Sequence, residues 1–262
     1  MRGLFRDNLA AVKQRLSRTS SEAQNTMSTF HVNRPQGYPA GVPSKFDPDG
    51  NVQRFRGNTI VSHLSPDSPL YASLLELHAK LAASPLAHLY ALLPPESWHM
   101  TVFECTCEDV RMRGYWPEDV PMDAPLEDCT AHLAAKLGEF DLGADARPPY
   151  RFTVRGFSPF DVGIGVLLRL RTPEEEFKFR ILRQRLADKT RILQPNHNHY
   201  QLHISMAYFL RHLDEAQKAE LGSMLMDHFQ AMDKDFELGA PEFCTFENMF
   251  RFDRLFYLEN KD

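Results

Sequence analysis

Two short stretches of the chain set an imidazole and a hydroxyl two residues apart: His99-Met100-Thr101-Val102 and His203-Ile204-Ser205-Met206. Side chains of a strand alternate faces. His99 and Thr101 therefore project from one surface, as do His203 and Ser205, while Met100, Val102, Ile204 and Met206 pack behind. A hydroxyl can hydrogen-bond a phosphate oxygen, and the neighbouring imidazole moves a proton near neutral pH. Two such pairs facing each other would make a phosphoryl site. One histidine acts as general base on water or a ribose hydroxyl, the other as general acid on the leaving oxygen, and no metal is required. Activity is then expected to be bell-shaped in pH. With 11 histidines in the chain, about one H-x-[ST] is expected by accident. The third occurrence, His63-Leu64-Ser65, runs into Pro66, which places Ser65 in a turn and off the strand face, so it is read as the chance match.

The elements that must position these residues are legible as alternating strands and helices. Asn58 to His63 is a β-branched run bounded by Gly57 and Ser65-Pro66, and Leu70 to Ala83 repeats apolar residues at helical spacing. His88 to Leu93 and Trp98 to Glu104 read as antiparallel strands joined by a short loop around Pro94-Pro95. Leu126 to Leu137 reads as a helix, Tyr150 to Phe157 and Gly163 to Arg171 as paired strands, and Pro173 to Asp188 as a helix opening on three glutamates. Tyr200 to Tyr208 is a strand, Asp214 to Met232 a helix, and Glu242 to Phe246 and Arg254 to Leu258 are strands. The order predicts an α+β fold of two similar lobes, two mostly antiparallel sheets flanked by helices around a central cleft. Before it, Met1 to Ser20 is an amphipathic helix pattern, a Ser/Thr-rich linker comes next, and Asn33 to Gly57 is so punctuated by Pro and Gly that it must be an ordered loop or arm. The division is thus an N-terminal helix and arm over residues 1–43 and a bilobal domain over 44–262.

Composition narrows the function. The chain has 262 residues, 30 Lys and Arg against 35 Asp and Glu, and a formal charge of −5. A protein that coats long polynucleotides needs a net basic surface, so a small substrate is favoured. No stretch approaches a membrane span, even the leucine-rich run from Leu70 to Leu93 being interrupted by Glu76, His78, Lys80 and Pro85. The four cysteines, without a CxxC pair, fit reduced thiols in a cytoplasmic protein.

Trp98-His99-Met100-Thr101-Val102-Phe103 and Tyr200-Gln201-Leu202-His203-Ile204-Ser205-Met206-Ala207-Tyr208 resemble, in spacing and flanks, the paired H-x-[ST]-x motifs of the two-histidine (2H) phosphoesterases, which include 2′,5′ RNA ligase-like proteins and cyclic nucleotide phosphodiesterases. Lys45-Phe46-Asp47 with Gly57-Asn58-Thr59-Ile60-Val61 is similar to a subgroup of unestablished function. The likeness spans roughly Ser44 to Leu258. It implies a bilobal α+β fold with one motif on a strand of each lobe, His99 and His203 as acid and base, and Thr101 and Ser205 holding the non-bridging phosphate oxygens. The departures are the long arm before Ser44 and a serine in the second motif.

The expected activity is metal-independent hydrolysis of a small cyclic or terminal phosphodiester resembling a 2′,3′-cyclic nucleotide, without cofactor or membrane partner. The alternative is a module that binds a nucleotide or an RNA end in the same cleft without turnover. Tyr208, Tyr200, Trp98 and Arg155 are candidate substrate contacts, the tyrosines and Trp98 by donating to phosphate or stacking on a base where they are not simply packed, Arg155 by pairing with phosphate if its strand face lines the cleft and is not solvated. A third reading, a metal hydrolase, rests on His197 and His199 with Cys105 and Cys107, spacings that metal sites seldom use.

Overall fold

Strands of alternating pattern need a layer to bury their apolar side, and here four helices among the described residues supply it. The computed structural model describes residues 37–158 and 161–261; the expected helix over Met1 to Ser20 and the linker lie outside them. In chain order come β1 (Gly57–His63), α1 (Pro69–Ala82), β2 (Tyr90–Leu92), β3 (His99–Cys107), α2 (Leu126–Gly138), β4 (Tyr150–Phe157), β5 (Gly163–Leu170), α3 (Pro173–Thr190), β6 (His203–Phe209), α4 (Glu215–Ala231), β7 (Asp235–Leu238), β8 (Glu242–Asn248) and β9 (Arg251–Tyr257).

The strands run in the order β7-β4-β5-β6-β3-β1-β8-β9, with β2 also on β6, every pair antiparallel. The two expected sheets are β7-β4-β5-β6 and β3-β1-β8-β9, and they meet through a single residue pair, Met100 with Ile204. The fold is α+β, as the pattern implied, but the halves of the chain trade strands. β8 returns from the C-terminal part of the chain to flank β1, with β9 beyond it, and β2 joins the sheet of the second half.

The expected hairpin between β2 and β3 does not form. β2 and β3 lie in succession along the same edge of β6, Leu92 opposite Ala207 and Met100 opposite Ile204. Between them Pro94 and Pro95 offer no N–H to a ladder, and the chain makes a short 3₁₀ turn over Pro95–Ser97 and resumes in the same direction. The strand β7 is absent from the sequence pattern. It has only four residues, two of them acidic, and alternates exposed and buried at the sheet's edge.

One face of the sheet packs on the helices. Leu70, Leu74, Leu77 and Leu81 of α1, Leu133 and Leu137 of α2, Phe179, Leu182 and Leu186 of α3 and Leu221 and Leu225 of α4 share one core with Ile60, Met100, Val102, Val166, Ile204 and Met206. The residues assigned to the rear of both histidine strands are therefore core residues. The other face carries a smaller cluster in which Val42 and Phe46 of the arm meet Phe55, Tyr208, Phe246 and Met249. In α3, Thr172 and Glu175 form a reciprocal capping box ahead of a glutamate-rich first turn, which fixes where the helix starts and so which residues it turns inward. One of those is Arg183.

Candidate active site

His99, Thr101, His203 and Ser205 line one cleft. The Met100–Ile204 pair accounts for this: with those two opposed on antiparallel strands, the register sets His99 across from Ser205 and Thr101 across from His203, all on the side away from the helices. The two motifs thus meet in an approximately two-fold arrangement.

The two imidazoles are held in the same way. His99 Nδ1 lies 2.7 Å from the Ser97 carbonyl and His203 Nδ1 lies 2.8 Å from the Gln201 carbonyl, each two residues upstream. A carbonyl only accepts, so each ring is the Nδ1–H tautomer and its Nε2 is left for the cleft. The His99 ring packs against Phe252 at 4.2 Å and edge-on to His63 at 5.9 Å. Burial pulls its pKa down to about 3, with repulsion from His63 adding to the shift. Burial lowers His203 as well, opposed by the Gln201 carbonyl and assisted by Lys45. Both rings are neutral at pH 7 in the free protein.

Beyond the hydroxyls the strands depart from simple alternation. The pairing of β1 with β3 shifts between Ile60 and Val61, whose partners are Phe103 and Thr101, so Val102 is an extra residue. In β6, Ile164 and Gly165 of β5 pair with Ala207 and Ser205, which makes Met206 the extra residue. A β-bulge re-aims the side chains beyond it. Alternation alone would turn Phe103 and Ala207 toward the cleft; instead Phe103 and Ala207 join the core, and Glu104 and Tyr208 line the cleft. Each motif therefore reads histidine, hydroxyl, then a third polar residue three positions on.

Sequence periodicity misses Glu104 for this reason. The guanidinium of Arg183, from α3, donates to the carbonyl of the bulged Val102 and lies 4.2 Å from the Tyr200 ring, so α3 braces the bulge from the core side. Burial lowers Arg183 to about 10, with Tyr200 and Glu104 among the groups that oppose the shift, and it stays charged at neutral pH. Tyr200 faces Thr101 and Glu104, and its hydroxyl is raised far above its usual range by burial.

Lys45, which in the sequence carries only a family resemblance, also lines the cleft. Its Nζ donates to the Tyr208 hydroxyl at 3.0 Å and stands over the rings of Phe55 and Tyr208 at 5.2 and 4.7 Å. Leu93, Phe246, Met249 and Phe252 complete an apolar wall. Their places in the chain, away from the residues of either motif, give no local signal.

Of the candidate substrate contacts, Tyr200 and Tyr208 line the cleft and two others do not. Trp98 lies in the helix-side core against Tyr71 and His78, because it is one residue out of phase with His99. Arg155 is exposed on β4, beyond β5 from the histidine strands. The proposed metal ligands are not brought together either. Cys105 belongs to the helix-side core and Cys107 to the smaller cluster, Cys105 being the extra residue of a second shift in the β1–β3 register. His197 is buried in a 3₁₀ turn with its ring 6.0 Å from Phe103, while His199 is exposed.

His63, Glu242 and Cys244 do place ligand atoms within 4.8 Å of one another. There the Glu242 carboxylate already accepts from the Arg254 guanidinium at 3.2 Å and meets His63 Nδ1 at 3.0 Å, and burial pushes the Cys244 thiol up to about 12. That donor set is an ion-pair cluster beside His99 with a protonated thiol.

Fold and paired motifs together are similar to those of two-histidine phosphoesterase-like proteins. Residues 45–163 match the family model described as 2H-phosphodiest, a domain of unknown function (DUF1868). This segment holds the first motif. Over 86% of the chain and 95% of the other, the structure is similar to that of a conserved protein of unknown function from Agrobacterium tumefaciens, at 26% identity and a TM-score of 0.78. That match extends through the second half of the fold. A comparison with curated proteins returned no match. Among the described residues no helix is long and apolar enough to cross a membrane.

Proposed function

We infer that the cleft hydrolyses a small cyclic phosphodiester of the 2′,3′-cyclic nucleotide class by two-histidine acid/base catalysis. The observation that carries this reading is the pair of imidazoles with anchored Nδ1 and free Nε2, each beside a hydroxyl, lining one cleft from two neighbouring strands. Thr101 and Ser205 donate to the non-bridging oxygens. Water attacks phosphorus and passes a proton to Nε2 of one histidine. The bond from phosphorus to one ribose oxygen breaks, and that oxygen takes the proton carried on Nε2 of the other. Water is thereby added across one P–O bond, leaving a phosphomonoester and a free hydroxyl, and solvent returns both rings to their starting states. The binding of a phosphate anion favours the protonated imidazole that the empty, desolvated cleft disfavours. Water activation of this kind requires no metal, and the four buried thiols suit a reducing cytoplasm.

The test is turnover of 2′,3′-cyclic nucleotides in EDTA. We expect activity in the wild type and a loss of about 10²–10⁴-fold in kcat in both His99→Ala and His203→Ala, with nucleotide binding largely kept. Undiminished turnover in either variant sinks the assignment. One observation favours a second reading: both histidines are held neutral by burial, so the resting cleft has no imidazolium to donate. A binding module without catalysis would show nucleotide affinity in the wild type and no hydrolysis at any pH.

A further inference from the structure

We propose that Lys45 supplies the positive charge of the phosphate subsite, its ammonium binding the non-bridging oxygens of a single phosphodiester held between the two histidines. The inference rests on the phosphoesterase reading and adds to it the residue that selects the anion.

Lys45 is only 3% exposed. Among the described residues no carboxylate lies within ion-pair distance of its Nζ, whose partners are the neutral Tyr208 hydroxyl and two aromatic faces. An ammonium carries three donors, and a buried charge is costly to keep unless it is paired. One carboxylate does stand in the cleft wall, that of Glu104, and the buried cation of Arg183 adjoins it from the helix side. The partner missing from Lys45 is thus an anion that enters the cleft. Thr101, Ser205 and the two imidazoles offer it neutral hydrogen-bonding groups, and Lys45 is the cation that faces it.

The arm is built to hold this lysine still. Lys45 N–H donates to the Gly41 carbonyl, its own carbonyl accepts from Gln53, and Asp47 closes the turn by accepting from Asn51 N–H. Phe46, fully buried, packs between Tyr208 at 5.5 Å and Phe250 at 5.7 Å. At Gly41 a Cβ would come within 2.9 Å of the Tyr208 ring, so only glycine lets the arm lie this close. A donor fixed before the ligand arrives needs no rearrangement as charge grows on the phosphate oxygens. Lys45 gives hydrogen bonds and keeps its protons; the bonds made and broken are those of the histidine step. One cation matches one singly charged diester.

The experiment compares wild type, Lys45→Met and Lys45→Arg by titration calorimetry with inorganic phosphate, by thermal melting, and by kinetics on a 2′,3′-cyclic nucleotide. We expect phosphate affinity to fall at least about tenfold in Lys45→Met and to recover in part in Lys45→Arg, and kcat in Lys45→Met to fall by about 10²-fold, the loss typical of one preorganised donor. Methionine fills similar space among Phe55 and Tyr208, so Lys45→Met should melt at or above the wild-type temperature, as removing an uncompensated buried charge requires. Wild-type affinity in Lys45→Met overturns the proposal, as does a weakened affinity accompanied by a lowered melting temperature. A wild type that binds phosphate through Lys45 yet hydrolyses no cyclic nucleotide supports the subsite and removes the hydrolase reading. A wild type that binds no phosphate overturns the subsite even if turnover is seen.

Discussion

Replacing Arg183 by methionine tests whether α3 holds the cleft floor in shape. The guanidinium is 3% exposed, donates to the carbonyl of the bulged Val102, and stacks on Tyr200 at 4.2 Å. A hydrogen bond from a charged donor contributes about 1.5–3 kcal/mol, and a desolvated cation–π contact about 2 kcal/mol. Against this, Arg183 Nε is buried without a partner, and relieving such a group returns about 1–3 kcal/mol. At the midpoints of these ranges the net expectation is a loss of about 2–3 kcal/mol. At about 2–4 °C per kcal/mol for a chain of this size, the melting temperature falls by roughly 4–12 °C. Arg183→Lys keeps the charge but not the planar stacking surface, and should fall between the two. Thermal denaturation monitored by circular dichroism reads the shift directly. A melting temperature for Arg183→Met within 2 °C of wild type, taking that as roughly the smallest shift expected per kcal/mol, would refute the claim that this cation braces the bulge.

Three further outcomes are expected from the same geometry. Burial lowers both His99 and His203 below the ordinary imidazole range, so the form with one ring protonated and one neutral is populated in the free protein only below about pH 6.5. A profile of kcat/KM against pH should therefore peak on the acid side of 6.5 and decline above it; an optimum above pH 8 contradicts the assignment. Buried histidines also carry a stability signature of definite sign. Their folded pKa values lie below the unfolded one, so the contribution is complete above about pH 6.5 and is lost as pH falls, toward about 3 for His99 and about 4 for His197. Urea midpoints should be level between pH 8 and about 6.5 and fall from there to pH 4, and a midpoint that rises on acidification would show the rings to be solvated. Finally, Gly163→Ala would push a Cβ into the Ala207 carbonyl oxygen and to 3.1 Å from Tyr208 Cα. Overpacking of this kind costs about 1–3 kcal/mol, and denaturant titration should show it; an unchanged midpoint would mean that β5 and β6 approach less closely than described.

The chain announces its chemistry where the rule is local. Two residues of strand are enough to put His99 beside Thr101 and His203 beside Ser205, and the apolar residues between them enough to show which face is core. The helices are legible likewise, from the leucine spacing of α1 to the capping residues of α3. Strand partners are another matter. The hairpin expected around Pro94-Pro95 is an interrupted strand against β6, and β7, short and half acidic, carries too little pattern to be read.

By itself the sequence determined which histidine sits beside which hydroxyl on each strand face, because strand periodicity acts over a few residues and needs no partner. Tertiary structure decided the rest of the cleft. Whether Glu104 or Phe103 faces the cleft depends on a bulge, and a bulge is a mismatch between two strands that neither encodes alone. Lys45, Phe246 and Phe252 reach the site from the two ends of the chain, and they meet there because the arm and the C-terminal strands pack on the face that the helices leave open.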